Sequence, residues 1–268
     1  VVASTNTEML IMTPSYVIHG AEKIIVKTKG GEVYDASLKK KDENLGYAII
    51  SVPSSTVKWK ELSVAKLGNS NMTKQGQVII ALGNQFEYKE GIGYGVVSST
   101  NNVVKLMDGE FELIDTDIPV AQQGTGVLVN TAGEIIGMIN TQLTGETIVS
   151  GIGISRLKSE IEMLSNGIAV PYLGIQVMKI TKEISLEQEM PIGLYVQEVQ
   201  ADSPAVIAGI KSGDIITEMN GDTIFSSQMY RNELMNHQVD DIIRVSGKRI
   251  GQDGYVDVEF EVVVGSRE

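Results

Sequence analysis

From residue 8 to residue 140, short apolar runs alternate with Gly, Asn, Asp and Lys punctuation. They fall at 8–18, 22–28, 32–38, 46–52, 77–82, 92–98, 110–116, 126–130 and 134–140. Runs of this length, rich in Val, Ile, Tyr and Thr and bounded by turn residues, predict strands. With no helical period between them they predict an antiparallel sandwich or barrel. The period then changes. Ser155 is the expected N-cap of a helix over RLKSEIEMLSNG, with Leu157, Ile161 and Leu164 on one face and Asn166-Gly167 as its stop. A domain boundary is expected there, giving domains 1–167 and 168–268.

The second domain has another rhythm. A polar, Glu-rich stretch (TKEISLEQEMP) precedes the strand LYVQEV, and Asp202-Ser203-Pro204 supplies a cap and a first-turn proline for a short helix ending at Gly209. Asn220-Gly221 is a hairpin signal. A helix is expected from Ser226 or Ser227 to about Asn236, and two closing strands flank a Gly251–Gly254 turn.

Composition narrows the chemistry. The 268 residues carry 22 basic and 34 acidic side chains, a net charge of -12, and are 42% hydrophobic, which is globular composition. The acidic balance excludes the basic footprint that nucleic acid or an anionic membrane surface needs. There is no cysteine, so no thiol chemistry, and only two histidines, His19 and His237. That excludes a multi-histidine metal cage and restricts any imidazole base to two candidates. No cofactor is expected. Gly91-Ile92-Gly93-Tyr94-Gly95 sits between strands without a following helix and reads as a turn rather than a phosphate loop. Trp59 and the eleven methionines read as packing.

The ordered motifs of the second half carry a resemblance. Tyr172-Leu173-Gly174-Ile175, Gly193-Leu194-Tyr195-Val196, Ser203-Pro204-Ala205, Ala208-Gly209-Ile210, Gly213-Asp214-Ile215-Ile216 and Asn220-Gly221 resemble the PDZ domain of HtrA/Deg serine proteases. The first half resembles the trypsin-like double β-barrel of the same family. Its anchors run from Met12-Thr13 and Ala48-Ile49-Ile50 through Ala81-Leu82-Gly83-Asn84 and Asp115-Thr116-Asp117 to Leu128-Val129-Asn130. The resemblance implies a mostly β fold: a double barrel lacking its first strand, then a sandwich-type PDZ domain with two short helices. It also implies an upstream strand and membrane anchor, an extracytoplasmic location, and a homotrimer.

The resemblance also locates the triad positions. Where the family has its base, in Thr-Asn-x-His-Val-Val, this chain has Thr13-Pro14-Ser15-Tyr16-Val17-Ile18, so Tyr16 stands at the base position. A phenol with a pKa near 10 is a poor general base. His19, three residues on, is a displaced candidate, read instead as a solvated loop residue. The family's Asp corresponds to Gly46 in Leu45-Gly46-Tyr47-Ala48; neighbouring Asp42 and Glu43 read as a charged turn. The nucleophile loop is one residue short, so Thr125 or Gly124 occupies the serine position, depending on which flank is aligned. The shortened loop puts the pair of oxyanion-hole N–H groups in doubt. A serine-type site therefore has no confident catalytic residue here, and the implied protein is a pseudoprotease. The alternative is an active serine- or threonine-type endopeptidase with a rearranged site around Thr125, His19 or His237, and a third reading is an assembly scaffold.

What remains is binding. The resemblance makes Tyr172, Leu173, Gly174 and Ile175 a carboxylate-binding loop. Met229, Tyr230, Leu234 and Met235 would line the pocket of the last peptide side chain, with core packing the alternative role for Leu234. The expected partners are peptide or protein C-termini and unfolded segments, bound by strand addition, in a chaperone, sensor or scaffold role in protein quality control.

Overall fold

The computed structural model describes residues 1–57, 63–86, 91–144 and 147–267; Trp59 lies outside them. Two compact units form. One comprises Val1–Val104 with Phe111–Ile168; the other comprises Lys105–Glu110 together with the residues from Ala169 on.

In the first unit, β1 (Ala3–Ser4), β2 (Glu8–Pro14), β3 (Ile24–Lys27), β4 (Val33–Asp42) and β5 (Tyr47–Pro53) form a sheet in the order β1-β2-β5-β4-β3. The central strand β5 is buried at every residue from Tyr47 to Val52, including Ser51, as a mostly apolar run lying between neighbours should be. The sequence run 8–18 does not stay extended. The strand stops at Pro14 and Ser15–Ile18 turn into a 3₁₀ segment.

Next come β6 (Val78–Gly83), β7 (Gly91–Ser99), β8 (Val103–Leu106), β9 (Gly109–Pro119), β10 (Thr125–Asn130), β11 (Ile135–Asn140), the helical turn α1 (Thr141–Thr144) and β12 (Ile148–Gly153). Their order is β12-β11-β10-β6-β7-β9-β8, and pairing of β12 with β9 closes six of the strands into a ring. Closure removes sheet edges. Ile79, Ala81, Val97, Ile114, Leu128, Ile136 and Ile139 fill the interior. β8 and β12 were not anticipated from the sequence. The helix α2 (Lys158–Ser165) is present, but Ser155 does not cap it: Leu157 holds the cap position, and no side chain bonds there. Ser155 is turned instead to Ser70, whose backbone N–H it accepts at 3.0 Å.

The second unit contains β13 (Ile175–Lys179), α3 (Lys182–Gln188), β14 (Leu194–Val199), α4 (Pro204–Ala208), β15 (Ile215–Met219), β16 (Asp222–Thr223), α5 (Ser227–Met235), β17 (Ile242–Gly251) and β18 (Gly254–Val263). The sheet runs β13-β14-β15-β17-β18, with β16 beside β15. The polar stretch at 181–191 is helical: Thr181 caps it, accepting from the Ile184 N–H, and no residue of α3 is buried. The other start signals hold. Ser203 caps α4 with Pro204 in its first turn, Gly209 ends it at φ 90°, and Ser226 caps α5. Leu173, Ile175, Val177, Leu194, Val196, Ile216, Tyr230, Leu234, Val245 and Val262 form one core. Beside it, Arg249 makes a bidentate bridge to the buried Asp214 carboxylate at 2.6 and 2.7 Å.

Candidate functional site

The triad-aligned positions of the first unit have these neighbours. Ser15, next to Tyr16, donates its N–H to the Gly46 carbonyl at 2.9 Å. Gly46 adopts φ +70°, and a Cβ added there would stand 3.1 Å from Asn140 Nδ2. Asn140 in turn is the register partner of Thr125 across β10 and β11. Tyr16 itself is half exposed.

Hydrogen bonds around these positions are already taken. The Thr125 N–H donates to Asn84 Oδ1 at 2.7 Å, and the Gly124 N–H donates to Thr141 Oγ1 at 2.8 Å. Glu43 accepts from Lys41 at 2.6 Å and from the Ser15 hydroxyl at 2.8 Å. The Lys41 hydrogen bond is the main cause holding the Glu43 carboxyl below its ordinary range. Asp42 is buried and caps its own turn, accepting from Asn44 N–H at 2.8 Å. His19 is exposed at the end of the 3₁₀ segment. His237 sits just past α5, in the second unit, 3.2 Å from Glu233 and 3.1 Å from Asn220.

The second unit shows a different arrangement. Between Val170 and β13 the chain turns through Gly174 at φ +86°, where an added Cβ would stand 2.4 Å from Ser203 Cβ. Only glycine meets both the left-handed backbone and this close approach. The loop's carbonyls are taken on one side: Leu173 O accepts from Ala205 N–H and Gly174 O from Gln200 N–H. Its N–H groups converge on the other. Leu173 and Gly174 each donate to Asp108 Oδ2 at 2.8 Å, and Ile175 donates to Asp108 Oδ1 at 3.1 Å.

The Tyr230 hydroxyl of α5 completes the set, donating to Asp108 Oδ1 at 2.5 Å. Burial pushes the Tyr230 phenol well up, which keeps it a donor. Burial also pushes the Asp108 carboxyl up, against the four hydrogen bonds that favour its ionised form. The Asp108 backbone is held too: its N–H donates to Ile175 O at 2.7 Å and its carbonyl accepts from Arg231 Nη1 at 3.0 Å. Of the residues expected at a peptide site, Leu173, Gly174, Ile175 and Tyr230 thus meet at one carboxylate. Tyr172 exchanges two backbone hydrogen bonds with Gly265, both 2.9 Å. Leu234 is fully buried in the core that Leu173 and Tyr230 share.

Asp108 and Arg231 are absent from the sequence reading. The available signal was Asp108-Gly109, a turn dipeptide between two β-rich runs. It predicts a turn, as found between β8 and β9, but not the carboxylate's destination.

Comparison with known proteins follows the same division. Residues 1–138 match the trypsin-like peptidase domain and residues 171–260 the PDZ domain. The chain belongs to the HtrA/DegP-like family of trypsin-fold proteases with a PDZ domain. Serine protease Do-like HtrB of Bacillus subtilis is 31% identical over 246 residues, covering 84% of this chain and 53% of its own length. A probable periplasmic serine endoprotease DegP-like of Pseudomonas savastanoi is 29% identical over 227 residues, covering 81% of this chain and 46% of its own. The chain thus spans about half the length of these curated relatives. Among solved structures, HtrA-type protease AlgW with a tripeptide is 25% identical with a TM-score of 0.67, covering all of this chain and 88% of the other.

Proposed function

We propose that this HtrA-family chain binds peptides carrying a free C-terminal carboxylate at the 172–175 loop of its PDZ unit, and that its barrel does not hydrolyse them. The observation that carries the binding half is the convergence of three loop N–H groups and the Tyr230 hydroxyl on one carboxylate. A set of donors that holds a side-chain carboxylate suits a terminal one equally. Beyond it, β13 is an edge strand, paired among the described residues with β14 alone, where an extended peptide adds by main-chain hydrogen bonds.

The inactive half is supported by the triad-aligned positions. Tyr16, Gly46 and Thr125 or Gly124 supply no imidazole and no carboxylate. Whichever of Thr125 and Gly124 takes the serine position, its own N–H, which an oxyanion would need, is bonded to Asn84 or Thr141. The role that fits is recognition of exposed C-termini or unfolded segments in protein quality control, as a sensor, chaperone or scaffold. A location outside the cytoplasm fits this role and is supported by the probable periplasmic relative.

The test pairs two assays. Binding of free-carboxylate peptides but not of their C-terminal amides, together with no casein cleavage and no fluorophosphonate labelling, is the expected result. Labelling that disappears in Thr125→Ala overturns the inactive reading. Equal affinity for acids and amides overturns the carboxylate reading.

A further inference from the structure

The donor set that would receive a peptide's carboxylate is filled by the chain itself. Asp108, 1% exposed, meets the loop as a peptide terminus would. Its two carboxylate oxygens take the N–H groups of Leu173, Gly174 and Ile175. Its backbone N–H bonds Ile175 O, at the start of the edge strand, and the Lys105 carbonyl accepts from Gln176 Nε2 at 3.4 Å. Lys105 and Asp108 therefore reach the first two residues of β13, where the end of an added peptide strand would lie. Asp108 itself holds φ +58°, the left-handed backbone of a turn, which Asp tolerates better than most residues.

We infer that Asp108 is a built-in competitor of peptide ligands, keeping the PDZ groove latent until the 105–108 turn leaves it. The inference rests on the binding reading above and adds its regulation. Two carboxylates cannot share one set of four donors, because each needs them to offset its burial and the like charges repel. A peptide binds only the fraction of molecules with Asp108 withdrawn, and its apparent affinity falls by that fraction. A closed population of about 90–99% weakens binding about 10- to 100-fold. Affinity is then set by two separable quantities, the intrinsic fit of the peptide and the hold of the loop on Asp108. Anything that draws the turn out of the groove raises affinity without touching the groove.

The experiment compares the whole chain with Asp108→Gly, which suits φ +58° and removes the carboxylate, and with Asp108→Asn, which keeps size and turn preference. Fluorescent octapeptides ending in Ala, Val, Leu or Phe, each as free acid and as amide, are titrated against all three by anisotropy. Hydrogen exchange of the Leu173, Gly174 and Ile175 amides is measured alongside. The expected result is a gain of about 10-fold or more for at least one free acid in Asp108→Gly, a gain in the same direction in Asp108→Asn, no gain for the amides, and faster loop exchange. Equal affinity of wild type and both variants overturns the inference while leaving peptide binding intact. Binding by none of the three overturns the groove reading and the competition with it. The exchange data separate the two failures: faster exchange without peptide binding places the fault in the groove, and unchanged exchange places it in Asp108.

Discussion

Both units hold backbone N–H groups of the kind that stabilise an anionic oxygen, and they are occupied in different ways. At the start of β10, Gly124 and Thr125 donate to a threonine hydroxyl and an asparagine amide, neutral acceptors fixed on neighbouring elements. In the PDZ unit, Leu173, Gly174 and Ile175 donate to a carboxylate. A neutral partner built into a sheet closes a donor for good, because an incoming anion would have to break that local packing. A charged partner leaves the donors arranged for an anion, so replacing it costs no reorganisation of the loop. On the proposed reading, the first arrangement suits an abandoned oxyanion site and the second a guarded one.

The largest effect is expected at the loop itself. Gly174→Ala forces a side chain into φ +86° and against Ser203. It should lower the unfolding free energy of the PDZ unit by about 3 kcal/mol and abolish binding of free-acid peptides. Denaturant melts and anisotropy titration check both. Tyr230→Phe removes one of the four donors to the Asp108 carboxylate. A hydrogen bond to a buried charge predicts a loss of about 2 kcal/mol, with the fold retained by circular dichroism and the loop amides exchanging faster. If Tyr230→Phe is neutral, the charged set is weaker than the comparison requires.

Thr141→Val reaches the other side of the contrast. It strips the acceptor from the Gly124 N–H and should cost about 1 kcal/mol in thermal unfolding of the barrel. No casein cleavage should appear, since no base is restored with the donor; cleavage there would reopen the barrel as an enzyme. The smallest effect concerns Glu8, a carboxylate matched by a cation. Its hydrogen bond from Lys39 is the main cause holding the Glu8 carboxyl below the ordinary 4.5. A group whose folded pKa is lowered contributes stability above its unfolded value and loses it as pH falls through the folded one. Glu8→Gln should therefore lower barrel stability slightly at pH 7 and flatten its acid limb, the difference from wild type vanishing as pH falls below about 4.5.

Much of this was legible in the order of the residues. Gly209, Asn220-Gly221 and Ser203-Pro204 specify local backbone states that nothing distant overrides, and they stand where the sequence put them. Ser155 had the right local chemistry for a cap, but a tertiary bond to Ser70 claimed it. The 181–191 stretch hid its helix because α3 buries no residue, so no apolar stripe betrays it. The loop glycine at 174 was visible as a close approach of main chain. Its occupant was not, because Asp108 lies 65 residues upstream of Leu173 and a turn dipeptide carries no mark of the partner it meets.

Gly46 gives the molecule a direction in evolutionary time. On the proposed reading it stands where a catalytic carboxylate would be, yet its backbone is left-handed and the space beside it belongs to Asn140. A codon change to Asp would put a Cβ 3.1 Å from Asn140 Nδ2, so Asn140 would have to give way. Such a revertant would be handicapped before any imidazole returned at position 16, so selection could not rebuild the triad one advantageous step at a time. Drift away from proteolysis at such a position works as a ratchet.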